Sequence, residues 1–246
     1  MRLAVIADIH GNCLALEAVL ADIAGLGITE ILNLGDHLSG WIDPARTADL
    51  LMDRPDIVTI AGNQDRRMLE AQRAGTAGAR WDCARLSAAH YQWLAAQPAT
   101  SVHRGKIFLC HGSPLGDEDY WLEDVAPDGR VSLAAIESIE ERARGVAASL
   151  LLCAHTHVPR SVRLANGRII VNPGSVGLPA YPSSRPHPHR IETGTPDACY
   201  AVVEAEQGPW QVTFRHVPYD RMGAARLAAR NGSPVWERAL ATGWLR

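Results

Sequence analysis

Acidic, amide and histidine side chains follow five apolar segments of this sequence, at the points where strands are predicted to end. In chain order they are Asp8 and His10 after LAVIA (3–7), Asp36 after ILNLG (31–35), Asn63 after IVTIA (57–61), His111 after KIFLC (106–110), and His155 and His157 after SLLLCA (149–154). Because the carboxyl ends of strands in an open α/β sheet line one crevice, these residues are expected to converge there. The sequence therefore predicts a metal site at that edge.

Two of these clusters carry ligands two residues apart, Asp8 with His10 and His155 with His157. In an extended segment, residues i and i+2 point to the same side, so each pair can present two ligands to one crevice. Carboxylate, imidazole and amide donors form a mixed oxygen and nitrogen set, which suits Mn, Fe, Zn or Ni better than a thiolate site or a Ca²⁺ cage does. We expect two divalent metal ions, with Mn favoured.

The elements that position these residues alternate between strand and helix through the first two thirds of the chain. Helical patterns follow the apolar strands at residues 14–27, 45–53, 64–74, 82–96 and 132–144. Such alternation predicts a largely parallel sheet.

From residue 160 the pattern changes to hairpins. Residues 161–172 contain Asn166 and Gly167 between two apolar runs, which is a strong hairpin signal, and 199–219 are predicted to turn at Gln207 and Gly208. These hairpins predict a second, mostly antiparallel sheet packed on the first. Residues 181–196, rich in Pro and His, are expected to form an irregular functional loop, and 220–246 a C-terminal tail of two short helices. We expect one domain over 1–246.

The composition sets limits on class and partners. The chain has 246 residues, 47% of them hydrophobic, which is typical of a globular domain with an ample core. Its formal charge of −3 creates no field that would recruit a polyanion, so nucleic acid is not a favoured partner. The five scattered cysteines, without a C-x-x-C pair, are expected to be reduced and buried. No segment resembles a signal peptide or a membrane span, and we expect a cytoplasmic protein.

Five short motifs, taken in order, resemble those of the calcineurin-like metallophosphoesterases. They are ADIHGN, LGDH, AGNQD, CHGSP and AHTHVP, and the resemblance covers residues 3–176. The chain is most similar to the small stand-alone bacterial and archaeal phosphodiesterase-like branch, whose members also carry the Asn-Pro-Gly-Ser stretch found here at 172–175. The resemblance implies an α/β fold made of a two-sheet β-sandwich flanked by helices, in four αββα layers.

The resemblance also implies a ligand set and an activity. It gives Asp8, His10 and His157 to one metal and Asn63, His111 and His155 to the other, with Asp36 bridging both. Two cations about 3.5–4 Å apart clamp a phosphate and lower the pKa of a shared water, so that hydroxide can attack in line. The implied protein is a hydrolase of phosphodiesters, with phosphomonoesters as further substrates, acting on a small phosphorylated molecule. The sequence does not set an oligomeric state.

Gln64 departs from the family pattern. Members usually have a histidine directly after the Asn of the third motif, and that histidine is thought to protonate the leaving oxygen. The amide of Gln64 does not ionise near neutrality, and loss of a general acid costs about 10² to 10⁴ in rate. The acid could instead be His187 or His189 from the Pro-rich loop, or His37 after Asp36; for each, the alternative is an ordinary loop histidine.

Residues just past Asn63 are candidates for substrate binding. Gln64 and Arg66, with Arg67 beside them, lie where a side chain could hold a phosphate oxygen. A solvated helix face explains the two arginines equally well.

Other functions remain open on the sequence. A binding or scaffold protein with a decayed site, as in the retromer subunit of similar fold, is the main alternative, and Gln64 favours it modestly. A protein Ser/Thr phosphatase is disfavoured because LGDHLSG lacks the Asp-Arg-Gly continuation of that branch. A nuclease would need a basic groove, and the sequence indicates none.

Overall fold

The structure is a computed structural model that describes residues 1–206 and 208–246. The helices are α1 (Cys13–Gly25), α2 (Pro44–Met52), α3 (Asn63–Arg73), α4 (Ala88–Ala95), α5 (Ile136–Arg142), α6 (Arg221–Arg230) and α7 (Pro234–Thr242). The strands are β1 (Arg2–Ile6), β2 (Ile31–Asn33), β3 (Val58–Thr59), β4 (Thr100–His103), β5 (Ile107–Cys110), β6 (Glu123–Val125), β7 (Val131–Leu133), β8 (Leu150–Leu152), β9 (Arg160–Arg163), β10 (Ile169–Asn172), β11 (Ala180–Ser183), β12 (His189–Glu192), β13 (Ala198–Glu204) and β14 (Gln211–Val217).

Two five-stranded sheets form the centre of the fold. The first has the order β14-β13-β1-β2-β3 and the second the order β4-β5-β8-β10-β9. Strands β1, β2 and β3 run parallel, as do β5, β8 and β10, whereas β13, β14, β4 and β9 pair antiparallel at the flanks. The expected division into one parallel and one antiparallel sheet is therefore wrong. Local sequence patterns predict where the strands lie. They do not predict which of the two sheets each strand joins, because that depends on the connections between strands.

Alternation along the strands creates three apolar layers. Val5, Leu32 and Leu152 belong to the core between the sheets. On the opposite face of the first sheet, Ile6 packs with Leu16 of α1, and on that of the second sheet Leu151 packs with Ile139 of α5. Successive side chains of a strand point to opposite faces, so each sheet is covered on both sides. The predicted two-sheet sandwich flanked by helices is confirmed.

Polar residues at the helix starts explain where two helices begin. Asn12 accepts a hydrogen bond from the Ala15 N–H at the start of α1, and Asp43 accepts one from the Arg46 N–H at the start of α2. Pro44 occupies the first turn of α2, where a missing N–H costs nothing. Both helices thus begin directly after loops that carry site residues.

Three expected segments differ from the structure. Residues 181–196 are only partly irregular, because β11 and β12 pair in register from Ala180 with Glu192 to Ser183 with His189. The predicted helix at 82–96 starts only at Ala88, after its N-cap Ser87. The predicted helix at 132–144 is α5 alone, because its first residues belong to β7, which pairs with β6.

The remaining local predictions agree with the structure. The hairpin at 161–172 is formed by β9 and β10, and α6 and α7 form the C-terminal tail. Strands β13 and β14 form the second hairpin, while Gln207 of its predicted turn lies outside the described residues.

All five cysteines are free and buried. Within the described part of the chain, every helix is too short or too polar to cross a membrane.

Candidate metal centre

Five of the predicted ligands have a left-handed backbone. The φ angles are 53° at Asp8, 52° at His10, 56° at Asp36, 71° at His155 and 60° at His157. For residues other than Gly this conformation costs about 1–3 kcal/mol each, and such strain concentrates at functional sites. The surrounding structure must therefore hold these five residues in place.

The left-handed residues correct the expected geometry of the paired ligands. The pairs were predicted to lie in extended chain, but β1 ends at Ile6 and β8 ends at Leu152, before either pair begins. Each pair instead has two left-handed residues flanking one other residue. The side chains converge through this tight turn rather than through the alternation of a strand.

Two groups of potential ligands face each other across the ends of the sheets. The first consists of Asp8, His10 and His157 and the second of Asp36, His111 and His155; within each, the ligand atoms lie within 4.8 Å of one another. In the first group the Nε2 atoms of His10 and His157 are 3.1 Å apart. In the second, His111 Nε2 lies 3.4 Å from Asp36 Oδ2. Asn63 Oδ1, 3.0 Å from His111 Nε2, adds an oxygen to that group.

Two buried carboxylates join the groups. Asp36 Oδ2 lies 3.8 Å from His10 Nε2 as well as close to His111. Asp8 Oδ1 lies 3.4 Å from His157 Nε2 and 3.9 Å from His111 Nε2. Both carboxylates therefore contact both groups, so the seven predicted ligands form one continuous cluster.

Backbone carbonyls and a hydroxyl orient the imidazole rings. His111 Nδ1–H donates to the Leu34 carbonyl and His157 Nδ1–H to the Leu178 carbonyl, both at 2.7 Å. His10 Nδ1 lies 3.0 Å from Ser39 Oγ. A partner at Nδ1 fixes the tautomer and leaves the Nε2 lone pair directed at the cluster, as in histidines that ligate metals.

A cation fits this donor set. Asp8 Oδ1 is fully buried and has no hydrogen-bond partner in the part of the chain that the structure describes. Burying a carboxylate oxygen without a hydrogen-bond donor costs free energy of folding unless a cation binds to it. The nearby Nε2 atoms of His10 and His157 are both positioned as acceptors, and two acceptors 3.1 Å apart also favour a cation.

The charges of the cluster are strongly coupled. Burial opposes the charged form of His111, but Asp36 and Asp8 outweigh it and raise the pKa of His111 to about 10. Burial, together with the neighbouring His111 cation, lowers the pKa of His155 to about 4. Burial raises the pKa of Asp36, yet the surrounding histidines hold it well below its usual range. Within the second ligand group, a proton is therefore favoured on His111 over His155.

A cavity of about 1200 Å³ opens beside the second ligand group. Asn63, Gln64 and His155 line it, and residues 118–120, 123–125 and 181–186 supply much of the rest. The backbone N–H of Gln64 donates to Asp36 Oδ1 at 2.8 Å, and Gln64 is among the residues that line the cavity.

A family model described as the calcineurin-like phosphoesterase superfamily domain matches residues 1–207. The chain belongs to this superfamily. It is 24% identical to the uncharacterized protein MJ0912 of Methanocaldococcus jannaschii, over 95% of this chain and 94% of that protein. It is also similar to the crystal structure of a metallophosphoesterase from Sphaerobacter thermophilus, with a TM-score of 0.75 and 25% identity, over 99% of this chain and 100% of that one.

One functional residue of this calcineurin-like chain was missed by sequence reasoning. The fully buried carboxylate of Asp65 accepts hydrogen bonds from the N–H groups of Asp36, His37 and Gly62 at 2.8–3.0 Å. It therefore ties the loop that carries Asp36 to the start of α3. The sequence did contain a signal for this role. Asp65 is the third residue of α3, and an acidic residue at this position often caps its own helix.

Glycine is required at one position next to this carboxylate. A Cβ placed on Gly62 would collide with the side chain and backbone N of Asp36. The Ala-Gly-Asn sequence of the third motif thus allows two ligand loops to touch.

His37 does not reach the cavity. Its ring is fully buried, with Nδ1 2.8 Å from Asp65 Oδ2, and it packs edge-on against Trp93 at 5.3 Å. His37 is thus placed in the core of the family fold and away from any leaving group.

His189 does not line the cavity, because the side chain of Tyr120 lies between it and the cavity. Its Nε2 is 2.9 Å from the Tyr120 hydroxyl, and Nδ1–H donates to the His187 carbonyl. The Tyr120 ring lies between the rings of His155 and His189, at 5.2 and 5.5 Å. The sequence did not single out Tyr120. Tyr120 lines the cavity where His189 would have to lie in order to protonate a leaving group. His187 is half-buried and is not part of the wall.

Arg66 is occupied by carboxylates rather than exposed to a substrate. Its guanidinium donates to both oxygens of Asp117 at 2.8 and 3.0 Å, and to Glu118 and Glu70. Arg66 is not among the residues that line the cavity, whereas Arg67 is. The expected contact of Arg66 with phosphate is therefore not supported, because three carboxylates neutralise its charge.

Proposed function

We propose that this protein is a dinuclear metal-dependent phosphoesterase that hydrolyses phosphodiesters, with phosphomonoesters as further substrates. The observation that carries the proposal is the continuous cluster of buried carboxylates and imidazoles beside a large cavity. Asp8, His10 and His157 would hold one ion, Asn63, His111 and His155 the other, and Asp36 would be shared. The mixed oxygen and nitrogen donors suit Mn, Fe, Zn or Ni, and we favour Mn.

The chain and the ions would contribute different parts of the chemistry. Two bound divalent cations would supply neutralisation of the phosphate oxygens and a lower pKa for the attacking water. Gln64 can orient an ester oxygen by hydrogen bonding, but it cannot deliver a proton near neutrality. A phosphodiester fits the site because a cavity of about 1200 Å³ accommodates a substantial ester group besides the phosphate.

The first test is hydrolysis of bis(p-nitrophenyl) phosphate by chelator-treated protein, before and after addition of Mn²⁺. We expect turnover only with the metal, together with about two ions bound per chain by elemental analysis. Absence of turnover on any diester, despite two bound ions, would contradict the proposal. That result would favour the alternative of a catalytically impaired binding or scaffold protein.

The change Gln64→His is expected to restore a general acid in the cavity wall. The backbone N–H that holds Asp36 is unaffected by the side chain, so the cluster should remain intact. We expect the rate on diphenyl phosphate, which has a poor leaving group, to rise by about 10 to 10². The rate on bis(p-nitrophenyl) phosphate should change less than about twofold, because nitrophenolate leaves without a proton.

The matched control is Gln72→His, which places the same side chain at an exposed position of α3. Equal acceleration of both substrates, or acceleration by the control, would show that position 64 does not supply the acid.

Metal binding is expected to release a proton near neutral pH. The pKa of His111 is raised to about 10, so this residue is protonated at pH 7.5 and an entering cation must displace that proton. We therefore expect release of about one proton per chain, and an apparent metal affinity that rises up to about tenfold per pH unit below pH 10. Titration calorimetry in two buffers of different ionisation enthalpy measures this release, and a value near zero would contradict the assignment.

A further inference from the structure

The segment 173–178 follows strand β10 and contains the end of the Asn-Pro-Gly-Ser stretch, which the proposed function does not use. It packs against the turn that carries Asp8 and His10. The approach is close, because a Cβ placed on Gly177 would collide with the carbonyl of Ile9, the residue between these two ligands. The segment is therefore in a position to control the conformation of the first ligand group.

Ser175 contacts the backbone of Asp8 through its hydroxyl. The hydroxyl donates to the Asp8 carbonyl at 2.8 Å, and the Gly177 N–H donates to the same carbonyl at 3.0 Å. Ser175 is 4% exposed and Asp8 is fully buried, so bulk water does not compete for these bonds. Both donors act on a residue whose left-handed backbone, with a φ of 53°, is unfavourable without such support.

The same hydroxyl is linked to a second ligand of the group. Its oxygen accepts a hydrogen bond from the Leu178 N–H at 2.9 Å, and the Leu178 carbonyl accepts one from His157 Nδ1–H at 2.7 Å. Asp8 Oδ1 lies 3.4 Å from His157 Nε2. One serine hydroxyl thus connects the backbone of Asp8 with the residue that orients the ring of His157.

The second ligand group is held by other residues. Asp65 binds the loop that carries Asp36, and the Leu34 carbonyl orients the His111 ring. In the part of the chain that the structure describes, the Ser175 hydroxyl has no hydrogen bond to any of these residues. Its removal should therefore act on the first group and leave the second intact.

We propose that Ser175 is a positioning residue for the first metal ion, and that it holds Asp8 and His157 in the arrangement that binds this ion. This inference rests on the proposed function. Without the hydroxyl, the Asp8 carbonyl keeps one of its two donors and the Leu178 N–H loses its acceptor. The backbone of Asp8 can then relax from the left-handed conformation and move the carboxylate. Outer partners of metal ligands are worth about 10 to 10² in metal affinity.

Titration calorimetry of the metal-free protein with Mn²⁺ measures both binding steps. We expect Ser175→Ala to weaken one step by about 10 to 10² and to change the other less than about threefold. The variant should remain folded, because the bonds from the Gly177 N–H to Asp8 and from the Val176 N–H to Ala7 are kept. Unchanged affinity for both ions would overturn the role of Ser175.

A double-mutant cycle assigns the weakened step to one ion. His10→Ala removes a ligand of the first ion, and Asn63→Ala removes a ligand of the second. We expect Ser175→Ala to weaken Mn²⁺ binding in the Asn63→Ala protein and to have little further effect in the His10→Ala protein. Equal weakening in both proteins would show a general effect on the structure and would overturn the proposal.

Two further serine variants serve as comparisons. Ser175→Thr keeps the hydroxyl and should bind Mn²⁺ more tightly than Ser175→Ala does, whereas equal losses would show that the hydroxyl is not the group that matters. Ser149→Ala is the matched control and should change neither step. The Ser149 hydroxyl also donates to a backbone carbonyl, that of Lys106 at 3.3 Å, and accepts from Trp210 Nε1 at 3.1 Å, but it precedes β8 at the end opposite to the ligands.

Binding of Mn²⁺ is measured without turnover, so the outcome is distinguishable from that of the hydrolysis test. Two bound ions without hydrolysis would contradict the proposed function alone. Hydrolysis with equal Mn²⁺ affinities in the unaltered and Ser175→Ala proteins would contradict the role of Ser175 alone. Absence of Mn²⁺ binding to the unaltered protein would overturn both.

Discussion

Asp36→Asn is expected to lower metal-dependent phosphodiester hydrolysis by at least about 10³. The substitution keeps the size of the side chain and the oxygen that accepts from the Gln64 N–H at 2.8 Å. It removes the negative charge that lies 3.4 Å from His111 and 3.8 Å from His10. Loss of a ligand shared by two ions should cost about 4 kcal/mol of transition-state stabilisation, which corresponds to this factor.

The measurement is kcat/KM for bis(p-nitrophenyl) phosphate at saturating Mn²⁺, with bound metal determined on the same sample. Asp56→Asn, at an exposed residue that pairs with Arg54 outside the site, is the matched control. Activity within tenfold of the unaltered protein would remove Asp36 from the ligand set. A folded protein with normal metal content and no activity would instead point to a role in substrate binding.

Asp65→Asn is expected to destabilise the fold by about 3–5 kcal/mol. The carboxylate accepts from the backbone N–H groups of Asp36, His37 and Gly62, and its oxygens are fully buried. An asparagine has only one acceptor oxygen, and its NH₂ would face an N–H that already donates. Buried groups left without partners carry their full desolvation penalty.

Thermal or urea unfolding of the metal-free protein measures this effect, and we expect a decrease in Tm of about 10 °C. The control is Asp49→Asn, which also removes a carboxylate 3.0 Å from a histidine, His90, but at a side chain that is 66% exposed. A loss below about 1 kcal/mol at Asp65 would show that the loops of Asp36 and Gly62 are held by other contacts. Because the metal is absent, this outcome is independent of the catalytic proposal.

The ligand cluster was predictable because its signal is local. Each predicted ligand follows an apolar segment that forms a strand. The carboxyl ends of these strands lie together, regardless of which of the two sheets each strand joins. The left-handed conformation of Asp8 or His155 was not predictable, because neither residue type requires it. Packing imposes this conformation, and packing depends on residues far away in the sequence.

The roles assigned to loop residues were the least predictable. Arg66 was expected to face a phosphate, and it instead pairs with Asp117 and Glu118, about 50 positions away, because the loop after β5 folds back over α3. The Pro-rich segment was expected to be irregular, yet β12 places His189 against Tyr120. Both errors arise from contacts between segments that show no periodic pattern of their own.

The central position of β1 has a consequence for folding during synthesis. This strand pairs on one side with β2, about 30 residues later, and on the other with β13, where Arg2 lies opposite Glu204. On a ribosome, all seven predicted ligands therefore emerge before the strand that completes the sheet beneath Asp8 and Asp36. Until β13 is made, β1 has an open edge, and under the proposed function its histidine loops would be able to capture ions in non-native combinations. Metal supplied after chain release should consequently give a higher yield of correctly folded protein than metal present throughout translation.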